Sequence, residues 1–138
     1  MCIRDRAQAM ATIAEANEIS SSSRVKASFK LLEAMINHPD LVAGEGRACT
    51  DLMRASNKRV VVKTGAEAVF IAILPELKLG IALKIEDGST RASEAVIAEL
   101  LARYGVLDRN HPLVRKRLQG PITNWNGIET GEYRVCFD

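Results

Sequence analysis

"KRVVVKTGAEAVFIAIL", Lys58 to Leu74, decides how the chain is read. Three valines in a row favour a strand, because β-branched side chains fit a pleated surface. The strand stops at Lys63-Thr64-Gly65, and a second apolar run follows at once. A buried strand has little use for a lysine beside a glycine, but a sheet edge that lines a cleft does. Lys58 to Lys63 is therefore read as one strand and Ala68 to Leu74 as a second. After a Pro75-Glu76 turn, Leu79 to Ile85 is a third. Such short connections join antiparallel neighbours, so the three strands form a meander.

Helical spacing lies on either side. Met10, Ile13 and Ala14 share a face within Ala7 to Asn17. Val25, Phe29, Leu32 and Ile36 do so within a helix that Pro39 ends. Gly44 and Gly46 mark a loop, and a short helix is expected over Arg47 to Ala55. From Thr90 to Tyr104 a stripe of Val96, Leu100 and Tyr104 predicts a longer helix, with Gly105 as its terminator. The remainder reads as irregular, with a last strand over Glu132 to Val135 and Trp125 covering the core edge. Helices, an antiparallel sheet and a returning helix make an α+β fold. The absence of repeated β-α-β units argues against a doubly wound one.

At 138 residues the chain suits one modest domain. With 47% hydrophobic and 26% charged residues it is not a disordered tail, and 4% aromatics require an aliphatic core. A net charge of +2 points to neither nucleic acid nor a membrane surface. Arg115-Lys116-Arg117, the densest basic run, is read as a solvated face. No apolar run reaches the ~18 to 20 residues of a membrane span. Cys2, Cys49 and Cys136 are scattered, odd in number and without a CxxC pair, which argues against a disulfide framework or a zinc site and favours a reducing cytoplasm. His38 and His111 each precede a proline, with no second ligand nearby to make a metal site. Met1 to Arg6, "MCIRDR", reads as a non-native junction, leaving 7–138 as the domain.

The lysine can hold a substrate carboxylate or lower a neighbouring hydroxyl's pKa. Thr64 adds a donor, Gly65 admits a ligand close to the backbone, and the Ala66 N–H can face a developing oxyanion. Alone, the tripeptide could equally be a surface turn. A lysine-ended strand followed by two antiparallel strands and a helix is, however, the order of β-lactamase-type and penicillin-binding serine acyl-transferases.

Several blocks resemble one family more closely. "HPDLVAGEGRACTDLM" from His38, Lys63 to Glu67, "VFIAILPELKLGIALKIEDGSTRASE" from Val69, "YGVLDRNHP" from Tyr104 and "NWNGIETG" from Asn124 are similar to the C-terminal part of the bacterial L-asparaginase II family, of the rhizobial type. The resemblance runs from roughly Arg24 to Arg134. It implies a β-lactamase-like fold that hydrolyses L-asparagine to L-aspartate and ammonia with a serine nucleophile. Of that machinery only the lysine maps here, to Lys63, with Thr64, Gly65 and Ala66 as substrate-binding positions. Cys49 matches a family cysteine near the site. The nucleophile and the metal site of relatives are expected upstream, so the chain reads as a C-terminal fragment without turnover or cofactor. Ser23-Arg24-Val25-Lys26 matches serine-x-x-lysine formally, but sits within the family's downstream pattern and is read as a helix cap. A glutaminase, a β-lactamase relative or a self-associating interaction module stays open, as does a homodimer.

Overall fold

Gly80 shows how the sheet is covered. In the computed structural model, which describes residues 2–137, a methyl group on Gly80 would lie 2.2 Å from the Ala11 nitrogen and 2.3 Å from the Ala7 oxygen. A helix backbone therefore rests directly on a strand. That helix is α1 (Ile3–Ala14), and the strand is β3 (Leu79–Lys84). The small residues Ala7, Ala11 and Gly80 permit the approach, while Met10, Ile13 and Ala14 turn into the core. α1 begins four residues earlier than its apolar pattern suggests.

β3 completes the expected meander. β1 (Val61–Thr64) pairs antiparallel with β2 (Val69–Leu74), and β2 with β3, in the order β1-β2-β3. The register sets Lys63 opposite Ile71 and Thr64 opposite Phe70. Directly opposed residues share a face, so Lys63 lies on the side of Val61, Ile71, Ile73 and Gly80. Thr64, Val62, Phe70 and Ala72 occupy the other side.

The second face packs on α5 (Thr90–Arg103). α1 and α5 both pack on β2 and β3, with the sheet between them. Ala95, Ala98 and Ala102 let α5 come close, and Ile97 and Leu101 are fully buried with Phe70 and Leu74. Each large apolar side chain enclosed in this way contributes roughly 1.5–3 kcal/mol. α5 stops at Gly105, whose φ of +71° suits glycine, and the Val106 N–H returns to the Leu101 oxygen at 2.9 Å.

α2 (Ser23–Asn37) and α4 (Ala48–Ala55) follow the sequence reading closely. Two elements do not. Pro39 ends α2 but also opens a short α3 (Pro39–Ala43), because its missing N–H is harmless at a first helical position. Pro112 does the same for α6 (Pro112–Leu118), where His111 caps the helix by accepting from the Leu113 N–H at 3.3 Å. The final strand falls elsewhere than expected. β4 (Pro121–Thr123) and β5 (Glu129–Glu132) form a separate antiparallel hairpin. Trp125, expected on the core edge, is fully exposed at the hairpin tip.

Candidate active site

The meander order makes β1 an edge strand, and Lys63 and Thr64 end it. The Gly65 N–H donates to the Val69 oxygen at 2.7 Å, which closes a tight turn into β2. Within that turn Glu67 and Ala68 take φ of +53° and +54°. Left-handed backbone at two successive non-glycine residues is strained, and such strain concentrates at functional sites.

Lys63 donates from Nζ to the Thr64 carbonyl oxygen at 2.7 Å. It lines a groove of about 420 Å³ with Ala34, Met35, His38, Leu41 and Val42. The walls come from α2 and α3, so the lysine's stem has apolar company. Gly65 and Ala66 line a different cavity, of about 350 Å³, together with Glu67, Val69 and Lys84. The lysine and the Gly65-Ala66 backbone thus open into separate hollows. Glu67 faces solvent, 3.8 Å from the Lys84 ammonium.

Cys49 stands beside this edge. It is 1% exposed, and its Sγ accepts the Thr64 N–H at 3.2 Å. An edge strand leaves such N–H groups without a ladder partner, and here sulfur takes one. Burial pushes the Cys49 thiol up from its ordinary value, outweighing the Thr64 N–H and the Lys63 charge. A thiol held neutral is an acceptor for Thr64 rather than a nucleophile. Cys49 is therefore buried and in direct contact with the end of β1.

α4 holds Cys49 in place and is enclosed from Ala48 to Met53. Thr50 donates from Oγ1 to the Gly44 oxygen at 2.6 Å and to the Pro39 oxygen at 3.1 Å. Glu45 pairs with Arg54 on the surface at 2.6 Å. Arg117 corrects the solvated reading of its cluster. Arg115 and Lys116 are exposed, but the Arg117 side chain is 12% exposed and bonds Asp51 at 2.5 Å and Glu94 at 2.8 Å. Burial works against its charge, yet the two carboxylates prevail and its pKa is raised. The signal was in the spacing: Val114, Arg117 and Leu118 share one face of α6, and both apolar neighbours enter the core.

Ser23 and Lys26 are exposed on the first turn of α2. A further cavity of about 690 Å³ is lined by Glu99, Arg109, Arg115, Tyr133 and Arg134 among others, and by none of Lys63, Thr64, Gly65, Ala66 or Cys49. Among the described residues, no three His, Cys, Asp or Glu side chains converge to hold a metal ion. No helix among them is long and apolar enough to cross a membrane.

The family model for L-asparaginase II matches residues 1–135. The chain belongs to the L-asparaginase II family. Membership points to an asparaginase-type amidohydrolase with a small-molecule substrate. In this L-asparaginase II chain the lysine-ended edge runs directly into the strained turn, and Cys49 reaches that strand end from α4. No curated protein matches it.

Proposed function

We propose that this chain supplies the lysine-bearing edge of a site that hydrolyses L-asparagine to L-aspartate and ammonia. The observation that carries the reading is Lys63 at the end of an edge strand, beside an open groove, in a member of the L-asparaginase II family. The attacking hydroxyl is a serine supplied from outside these residues, on a β-lactamase-like framework of which this is the C-terminal part. Serine oxygen bonds to the carboxamide carbon, the carbon–nitrogen bond breaks, and nitrogen leaves with a proton as ammonia. Water then cleaves the ester to give aspartate. Lys63 offers its ammonium to the developing negative charge, and the proton lost by the serine hydroxyl leaves with the nitrogen as ammonia forms. Thr64, Gly65 and the Ala66 N–H are given the substrate-orienting and oxyanion roles by the family resemblance alone, because Gly65 and Ala66 open into a second hollow and not into the Lys63 groove.

The test begins with ammonia release. The 138-residue chain with asparagine yields none above buffer. The longer protein, read from the in-frame DNA upstream, hydrolyses asparagine, and Lys63→Ala lowers its kcat by about 10²–10³-fold. Release by this chain that depends on Ser23 would restore Ser23-x-x-Lys26 as the nucleophile motif. A longer protein without asparagine hydrolysis overturns the reading.

A further inference from the structure

Arg117 lies on α6, far in sequence from the strand it influences. Its guanidinium ties three segments together. Nη2 donates to Asp51 on α4 at 2.5 Å and to the Gly46 oxygen just before α4 at 2.8 Å, and Nη1 donates to Glu94 on α5 at 2.8 Å. The three side chains are 12%, 8% and 18% exposed, so solvent screens these bonds little. Arg117 Nε is buried without a partner. The guanidinium is thus turned to meet the two carboxylates even though one donor is left over.

Asp51 follows Cys49 by two residues. At 3.6 residues per turn they point to nearly opposite sides of α4. One side of the helix is gripped by Arg117, and the other presents Cys49 Sγ to the Thr64 N–H at 3.2 Å. We infer that Arg117 is a positioning residue for the Lys63-Thr64 edge, acting through Asp51, α4 and Cys49. Its grip on Gly46 and Asp51 fixes how far Cys49 reaches, and that reach fixes where the end of β1 stands. The functional weight of this position rests on the proposed role of that edge, whereas its test needs no turnover.

The experiment is amide hydrogen exchange on the 138-residue chain. Arg117→Met alone strands two buried carboxylates and can unfold the protein. The working variant is therefore Asp51→Asn/Glu94→Gln/Arg117→Met, which removes the charges together. Thr64 exchange is expected to quicken by about tenfold, the size of one lost hydrogen bond, with Ala72 and Ile73 unchanged. Cys49→Ala, with Arg117 intact, gives the same local increase. Arg117→Lys, which keeps the charge and fewer donors, recovers part of the protection. Unchanged Thr64 exchange in the folded triple variant overturns the inference. So does an increase spread evenly over β1 and β2, which marks a merely structural ion pair. Either result leaves the asparagine reading standing, because that reading is judged by ammonia alone.

Discussion

Cys49 illustrates how one thiol serves both the core and the end of β1. Its thiol fills a buried position and also receives the Thr64 N–H. Because burial raises its pKa above the ordinary 9.0, its contribution to stability is whole below pH 9.0 and is lost as pH rises through the higher folded value. Cys49→Ala should lower the thermal midpoint at pH 7, in step with a stability loss of about 1–2 kcal/mol from the lost sulfur packing and hydrogen bond. The difference from the parent chain should shrink above pH 9.0. Melting curves across that range check this; a constant gap to alkaline pH contradicts the assigned cause. The strand end at Lys63-Thr64 was legible from sequence because the valine run and its stop lie in adjacent letters, whereas Cys49 was singled out only through the family resemblance. The ion pairs of Arg117 were not, since Asp51 and Glu94 are brought to it by tertiary packing from 66 and 23 residues away. Trp125 misled for the opposite reason. Its size suggests burial, but the turn around it is built by Asn124 Oδ1, which accepts from the Asn126 and Ile128 N–H groups, both at 3.0 Å, and leaves the ring outside.

Elements with a strong apolar period were readable, and those defined by caps were less so. β1 to β3, α2 and α5 follow their apolar runs, with ends differing by a few residues. α3 and α6 have five and seven residues, too few for a period to stand out, and each starts at a proline: Pro39 reads from sequence as a stop, and Pro112 as part of an irregular stretch. The α1–β3 contact was invisible for another reason. A glycine inside a strand signals either weakness or close approach, and only the partner decides which. Here the partner is helix backbone, which cannot rotate away as a side chain can. Gly80→Ala should therefore lift α1 from the sheet and expose Met10, Ile13 and Ala14. A loss of about 3 kcal/mol is expected, at the upper end of overpacking effects. A urea midpoint, with limited proteolysis to locate the first cut in α1, measures it. An unchanged midpoint would show that α1 can shift without penalty.

At the scale of the whole molecule, the last fully buried apolar residue among those described is Val114, and beyond it only Leu118 packs against the core. Every residue of β4 and β5 is exposed, so the hairpin adds almost no apolar burial. A two-stranded hairpin is at best marginally stable by itself. This one is held by its turn, by the Thr130 hydroxyl on the Ile122 oxygen at 3.0 Å, and by Tyr133, whose hydroxyl donates to the Arg117 oxygen at 3.3 Å. Stability and the chain's single tryptophan are therefore uncoupled. Replacing residues 121–132 with a short glycine-serine link should change unfolding free energy by no more than about 0.5 kcal/mol, as for surface changes generally. Trp125 emission should already be that of a hydrated indole in the native chain, and should scarcely shift through the urea transition that circular dichroism records. A blue-shifted native spectrum that moves red on unfolding would place the ring in a buried contact, and the hairpin would then belong to the core after all.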